Sequence, residues 1–107
     1  MQRLLVAIVQ SADADPVVDA LTSEGFRVTR LGSTGGFLKQ ASATLLVGVE
    51  DDDGYAAALG LIERHSSSRD VEPPPVLLER LADWQAAVVH HGGATVFVLP
   101  LERVVRL

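Results

Sequence analysis

The run Leu4-Leu5-Val6-Ala7-Ile8-Val9, closed by Gln10, is six apolar residues with β-branched members. An unbroken run of that length reads as a strand covered on both faces. Asp15-Pro16 follows as N-cap and first helical residue, since proline at that place loses no helical hydrogen bond. Val17, Val18 and Leu21 supply the apolar face of that helix, and Gly25 can take the left-handed conformation that ends it. Phe26 to Leu31 then alternates Phe26, Val28 and Arg30 against Arg27, Thr29 and Leu31, the pattern of a second strand.

Gly32-Ser33-Thr34-Gly35-Gly36 breaks the second strand, and Thr44 to Val49 begins a third. Asp51, Asp52 and Asp53 offer N-caps for a second helix, with Tyr55, Ala58, Leu59 and Ile62 facing inward and an end near Ser66-Ser67-Ser68. Three successive prolines make Arg69 to Pro75 a loop. Val76 to Ala82 has the spacing of a short helix. Ala86 to Leu99 is the last strand region, with a bulge or sharp bend expected at Gly92-Gly93. The order strand–helix–strand–strand–helix–strand is the α+β, ferredoxin-like pattern (βαββαβ). Two helices on one face leave the other sheet face bare, and a sheet this apolar is expected to cover it by oligomerising.

The 107 residues make room for one domain, 1–107, and 48% hydrophobic residues are enough to bury a core. A net charge of −5 argues against a general nucleic-acid binder. The absence of cysteine excludes disulfides, thiolate metal sites and a cysteine nucleophile, and fits a reducing cytosol. The apolar run at the N-terminus is too short for a signal peptide or a membrane span. A cytoplasmic protein without a membrane segment is expected. Neither a Gly-x-Ser-x-Gly elbow nor a phosphate-binding Gly-x-x-x-x-Gly-Lys-Ser/Thr loop is present, so catalysis has no support.

Thr34-Gly35-Gly36-Phe37-Leu38 is the most unusual segment. Adjacent glycines let the backbone come close to a ligand with its amides turned toward an anion. Phe37 adds a flat surface for a nucleobase, worth about 1–3 kcal/mol per stacked base. Arg27 and Thr29, two apart on the preceding strand, add a cation and a hydroxyl on one face. On the residues alone, a glycine turn whose Phe and Leu plug the core explains the segment as well. Gly92-Gly93-Ala94-Thr95-Val96-Phe97-Val98-Leu99-Pro100 is likewise a kinked strand or a place of close backbone approach. His90 and His91, adjacent on a strand, point to opposite faces and do not chelate one ion together. Glu50-Asp51-Asp52-Asp53 lacks the spacing of a calcium loop and reads as a helix-capping turn, so no metal is expected.

Taken together, Ile8-Val9-Gln10, Phe26-Arg27-x-Thr29, Thr34-Gly35-Gly36-Phe37-Leu38, Gly48-Val49 and Gly92 to Pro100 resemble the PII-like cyclic di-AMP receptor family over nearly the whole chain. The resemblance implies a homotrimeric, non-enzymatic signal-transduction protein that holds the dinucleotide between subunits and relays its presence to a downstream protein through mobile loops. Carried over by position, the ligand-binding residues are Arg27, Thr29, Gly35, Gly36, Phe37, Leu38, Gly48, Gly92 and Phe97. Where the family has an adenine-reading Asn inside Gly-Asn-Thr, this chain has Ala41-Ser42-Ala43. Ser42 is shorter and offers one hydroxyl, a loss of about 1–3 kcal/mol. Gly25 stands where the family carries an Asn before Phe-Arg, and Arg106 replaces a Gln near the ligand and is expected to meet phosphate. The alternative is a PII-like protein-interaction module that has lost the nucleotide. Ser42 and the apolar series Leu77, Leu78, Leu81 and Trp84 favour it.

Overall fold

The computed structural model describes residues 2–31, 42–66, 87–91 and 93–102. Its elements are β1 (Arg3–Gln10), α1 (Ser11–Ser23), β2 (Val28–Leu31), β3 (Ser42–Val49), α2 (Asp52–His65), β4 (Ala87–His91) and β5 (Ala94–Pro100). They form one antiparallel sheet in the order β2-β3-β1-β5-β4. The four strands β2-β3-β1-β5 with the two helices are compatible with a ferredoxin-like fold. No helix among the described residues is long and apolar enough to cross a membrane.

β1 is central, and Leu5 to Val9 are all buried. Side chains alternate across the sheet, so Leu5, Ala7 and Val9 join the core beneath the helices, while Val6 and Ile8 join a second cluster on the other face. Each such side chain, fully buried, contributes about 1.5–3 kcal/mol. Ala14, Val17 and Leu21 of α1 and Ala58, Leu59, Leu61 and Ile62 of α2 close the first core.

Three expectations change. The first helix begins at Ser11, directly from β1, rather than at Asp15-Pro16; Pro16 lies inside it. Burial of Ala14, one turn before Val17, draws the earlier turn onto the sheet. The missing proline N–H forfeits one helical bond, which that packing offsets. The last strand region is two strands, β4 and β5, paired from Ala87↔Val98 to His91↔Ala94. The chain therefore reverses between His91 and Ala94, which agrees with the sharp bend expected there and not with a bulge, since a bulge would keep one direction. The second sheet face is also less bare than expected. Val6, Ile8, Phe97 and Leu99 are buried there within a single chain, and Val6 stands directly across from Phe97. The short helix expected at 76–82 and the loop at 69–75 lie outside the described residues.

Candidate functional site

The local turn after α1 builds one wall of the site. Gly25 has φ of +92°, the Gly25 N–H donates to the Thr22 carbonyl at 3.0 Å, and the Phe26 N–H donates to the Leu21 carbonyl at 3.0 Å. This paired capping pattern places a left-handed residue just past the helix end. It turns Phe26 and Val28 onto the core beneath the helices. The alternate residues, Arg27 and Thr29, are then exposed on the opposite sheet face.

The opposing wall comes from the end of β3 and the start of α2. Asp51 caps α2, its Oδ1 accepting from the Gly54 N–H at 2.7 Å. Gly54 sits tightly inside that turn, where an added β-carbon would lie 3.2 Å from Asp51 Oδ1 and 3.7 Å from Phe26 Cε1. The Leu101 N–H donates to the Gln2 carbonyl at 2.9 Å, which brings Leu101 across the start of β1.

Between these walls lies a groove of about 710 Å³. Leu4, Leu46 and Leu101 give it apolar surface, and Arg27, Thr29 and Gly48 line it with them. The register explains the grouping: Gly48 faces Leu4, Leu46 faces Val6, and Thr29 faces Leu46, so these positions share one sheet face. Gly48 is exposed, its φ lies outside the left-handed region, and a β-carbon there would meet nothing within 4 Å. Its backbone therefore does not require glycine.

Arg27 has no ion-pair or hydrogen-bond partner among the described residues. The arginines around it are committed. Arg30 Nη1 binds Asp15 Oδ1 at 2.9 Å, on the helix side of the sheet. Arg3 Nη2 binds Asp52 Oδ1 at 2.9 Å with its guanidinium 4.5 Å from the centre of the Tyr55 ring. Glu24, Glu50 and Asp51 line the groove as well. Among the described residues no group of three or more histidines, aspartates or glutamates is placed to hold a metal ion.

Of the residues singled out from the sequence, Arg27, Thr29 and Gly48 come together in the groove. Ser42 does not line it. It faces Gln10 at the other end of β3, about 20 Å along the strand from Gly48. Phe97 faces Val6 and is only 2% exposed, inside the second apolar cluster. Gly35, Gly36, Phe37, Leu38, Gly92 and Arg106 lie outside the described residues. Leu46, Leu101, Glu24 and Glu50 also line the groove, and no motif in the sequence marks them. Leu46 is legible only through the cross-strand register, and the two glutamates only through the approach of two turns far apart in sequence.

Gly25, by resemblance the place of an Asn, occupies a left-handed position that glycine takes most readily and asparagine next. Either residue leaves the turn, and so the aim of Arg27, in place.

The backbone is similar to that of a functionally unknown protein from Pediococcus pentosaceus, known from a crystal structure, with a TM-score of 0.66 and 28% sequence identity. The match covers 99% of this chain and 97% of that one. Residues 1–107 match the family described as cyclic-di-AMP receptor. With the whole chain matched, this protein belongs to the cyclic-di-AMP receptor family.

Proposed function

We propose that the protein is a non-enzymatic receptor for cyclic di-AMP, held in the groove around Arg27, Thr29 and Gly48 where two subunits of a homotrimer meet. The observation that carries this reading is the open space over Gly48 beside Arg27, which has no ion-pair partner among the described residues. A strand glycine forfeits stability unless something approaches its backbone closely. Nothing among the described residues does, and a ligand lying against that backbone supplies such a reason. The groove volume falls in the range of small-molecule sites. Leu31, 42% exposed on the edge strand β2 and on the same face, fits apolar contact with a second subunit.

In this reading Arg27 meets one phosphate by charge-assisted hydrogen bonds, and Thr29 adds a hydroxyl. Gly35 and Gly36 bring main-chain amides to the ligand, and Phe37 and Leu38 pack on adenine. Ligand contact with segments 32–41 and 69–85 then alters the surface offered to a downstream protein. Calorimetry with purified protein tests it. Heat on adding cyclic di-AMP, lost in Phe37→Ala, is the expected result. No heat for cyclic di-AMP, cyclic di-GMP, ATP or AMP at high micromolar concentration sinks the reading.

A second reading, a protein-interaction module that has lost the nucleotide, is favoured by the three carboxylates against one arginine among the described residues that line the groove. A partner captured equally with and without cyclic di-AMP, by a protein that gives no heat with the nucleotide, supports that module. Partner release on adding cyclic di-AMP supports the receptor.

A further inference from the structure

We propose that Glu24 and Glu50 are specificity residues of the groove, admitting a nucleotide of singly charged phosphodiesters and disfavouring a linear polyphosphate. The inference rests on the nucleotide reading above and adds to it which anionic ligands the groove turns away.

The charges lining the groove are unevenly committed. Arg27 is the one cation among its described residues, against Glu24, Glu50 and Asp51. Asp51 is partly spent: its Oδ1 accepts the α2 capping hydrogen bond at the positive end of that helix. Glu24 and Glu50 are exposed, and neither forms an ion pair with a described residue. Glu24 is also the C-cap of α1, whose last turn holds no basic residue, so the negative helix end adds to its charge. Glu50 follows β3 directly and stands on the other wall. The Arg27 guanidinium thus shares its groove with a carboxylate on each wall, one of them reinforced by a helix terminus.

Such a site meets one phosphodiester well and a string of phosphates badly. A diester carries one charge, while a terminal phosphate carries up to about two. ATP therefore brings about twice the charge of a cyclic dinucleotide, and brings it on contiguous groups. Repulsion from two uncommitted carboxylates scales with that charge, so its effect on the logarithm of affinity is about doubled for ATP.

The test is calorimetric titration of the full chain with cyclic di-AMP and with ATP at low ionic strength, in wild type and in a Glu24→Gln, Glu50→Gln double variant. Wild type is expected to bind cyclic di-AMP at least about tenfold more tightly than ATP. In the double variant both ligands gain, ATP by about tenfold and cyclic di-AMP by about threefold, so the ratio narrows by about threefold. An Asp19→Asn, Glu63→Gln variant makes the same change in net charge on residues that do not line the groove, and is expected to leave the ratio where it was. Equal gains for both ligands, an equal narrowing in the control, or wild-type ATP binding as tight as that of cyclic di-AMP each overturn the inference while leaving a nucleotide site standing. Wild-type protein that gives no heat with any nucleotide overturns the receptor reading and this one together.

Discussion

Gly48 stands directly across from Leu4 in the β1–β3 ladder, and a β-carbon on it would meet no atom within 4 Å. A larger side chain there fills open space that the proposed reading assigns to the ligand. Gly48→Val is expected to keep the fold and to raise stability by about 0.5–1 kcal/mol, because valine suits a strand and glycine does not. Cyclic di-AMP affinity falls by at least about tenfold. Thermal melting and calorimetry on the same preparation check both halves, and a valine variant that binds normally removes Gly48 from the site.

Arg27, one residue before the edge strand β2, and Arg30 within it lie on opposite sides of the sheet. Arg27→Gln removes a charge-assisted contact worth about 1.5–3 kcal/mol, so affinity drops by roughly ten- to a hundredfold with little change in melting temperature. Arg30→Gln breaks the pair with Asp15, whose side chains are 47% and 85% exposed. Screening limits that loss to about 0.2–1 kcal/mol of stability, and binding stays as it was. The reverse pattern would place the ligand on the helix side of the sheet.

Gly25→Asn restores by substitution the residue that the resemblance leads one to expect. Open space surrounds the position, and asparagine tolerates the left-handed backbone at less than the roughly 1–2 kcal/mol other side chains incur. An added amide on the groove wall is expected to strengthen cyclic di-AMP binding by about tenfold. Gly25→Val, strained at the same φ, lowers stability by about 1–2 kcal/mol. Unfolding midpoints in denaturant separate the two variants, and weaker binding by the asparagine form counts against the groove as the adenine site.

Phe97 packs against Val6 with almost no exposure, so its first contribution is to stability. Phe97→Ala is expected to cost about 3–5 kcal/mol, a large share of a small protein's total. Phe97→Leu keeps most of the volume and costs no more than about 1.5 kcal/mol. If the leucine form melts like wild type yet loses ligand, the ring turns outward to the nucleotide in the bound protein.

What the chain alone made legible follows from interactions between near neighbours. Continuous apolar residues announced β1, three- and four-residue spacing announced α2, and Gly25 announced the end of α1, because each is set by alternation, helical period or a single left-handed residue. Position-by-position resemblance also pointed to Arg27, Thr29 and Gly48, whose common face follows from alternation along β2 and the pairing of β2 with β3. Tertiary structure decided the rest. The start of α1 moved to Ser11 because burial of Ala14 depends on where the sheet lies beneath it. The division of the last strand region into β4 and β5 depends on β5 pairing with β1 as well as with β4. The two glutamates reach one groove only because the turn after α1 and the turn before α2 converge. Contacts between residues distant along the chain depend on register and packing, which no local pattern of side chains specifies.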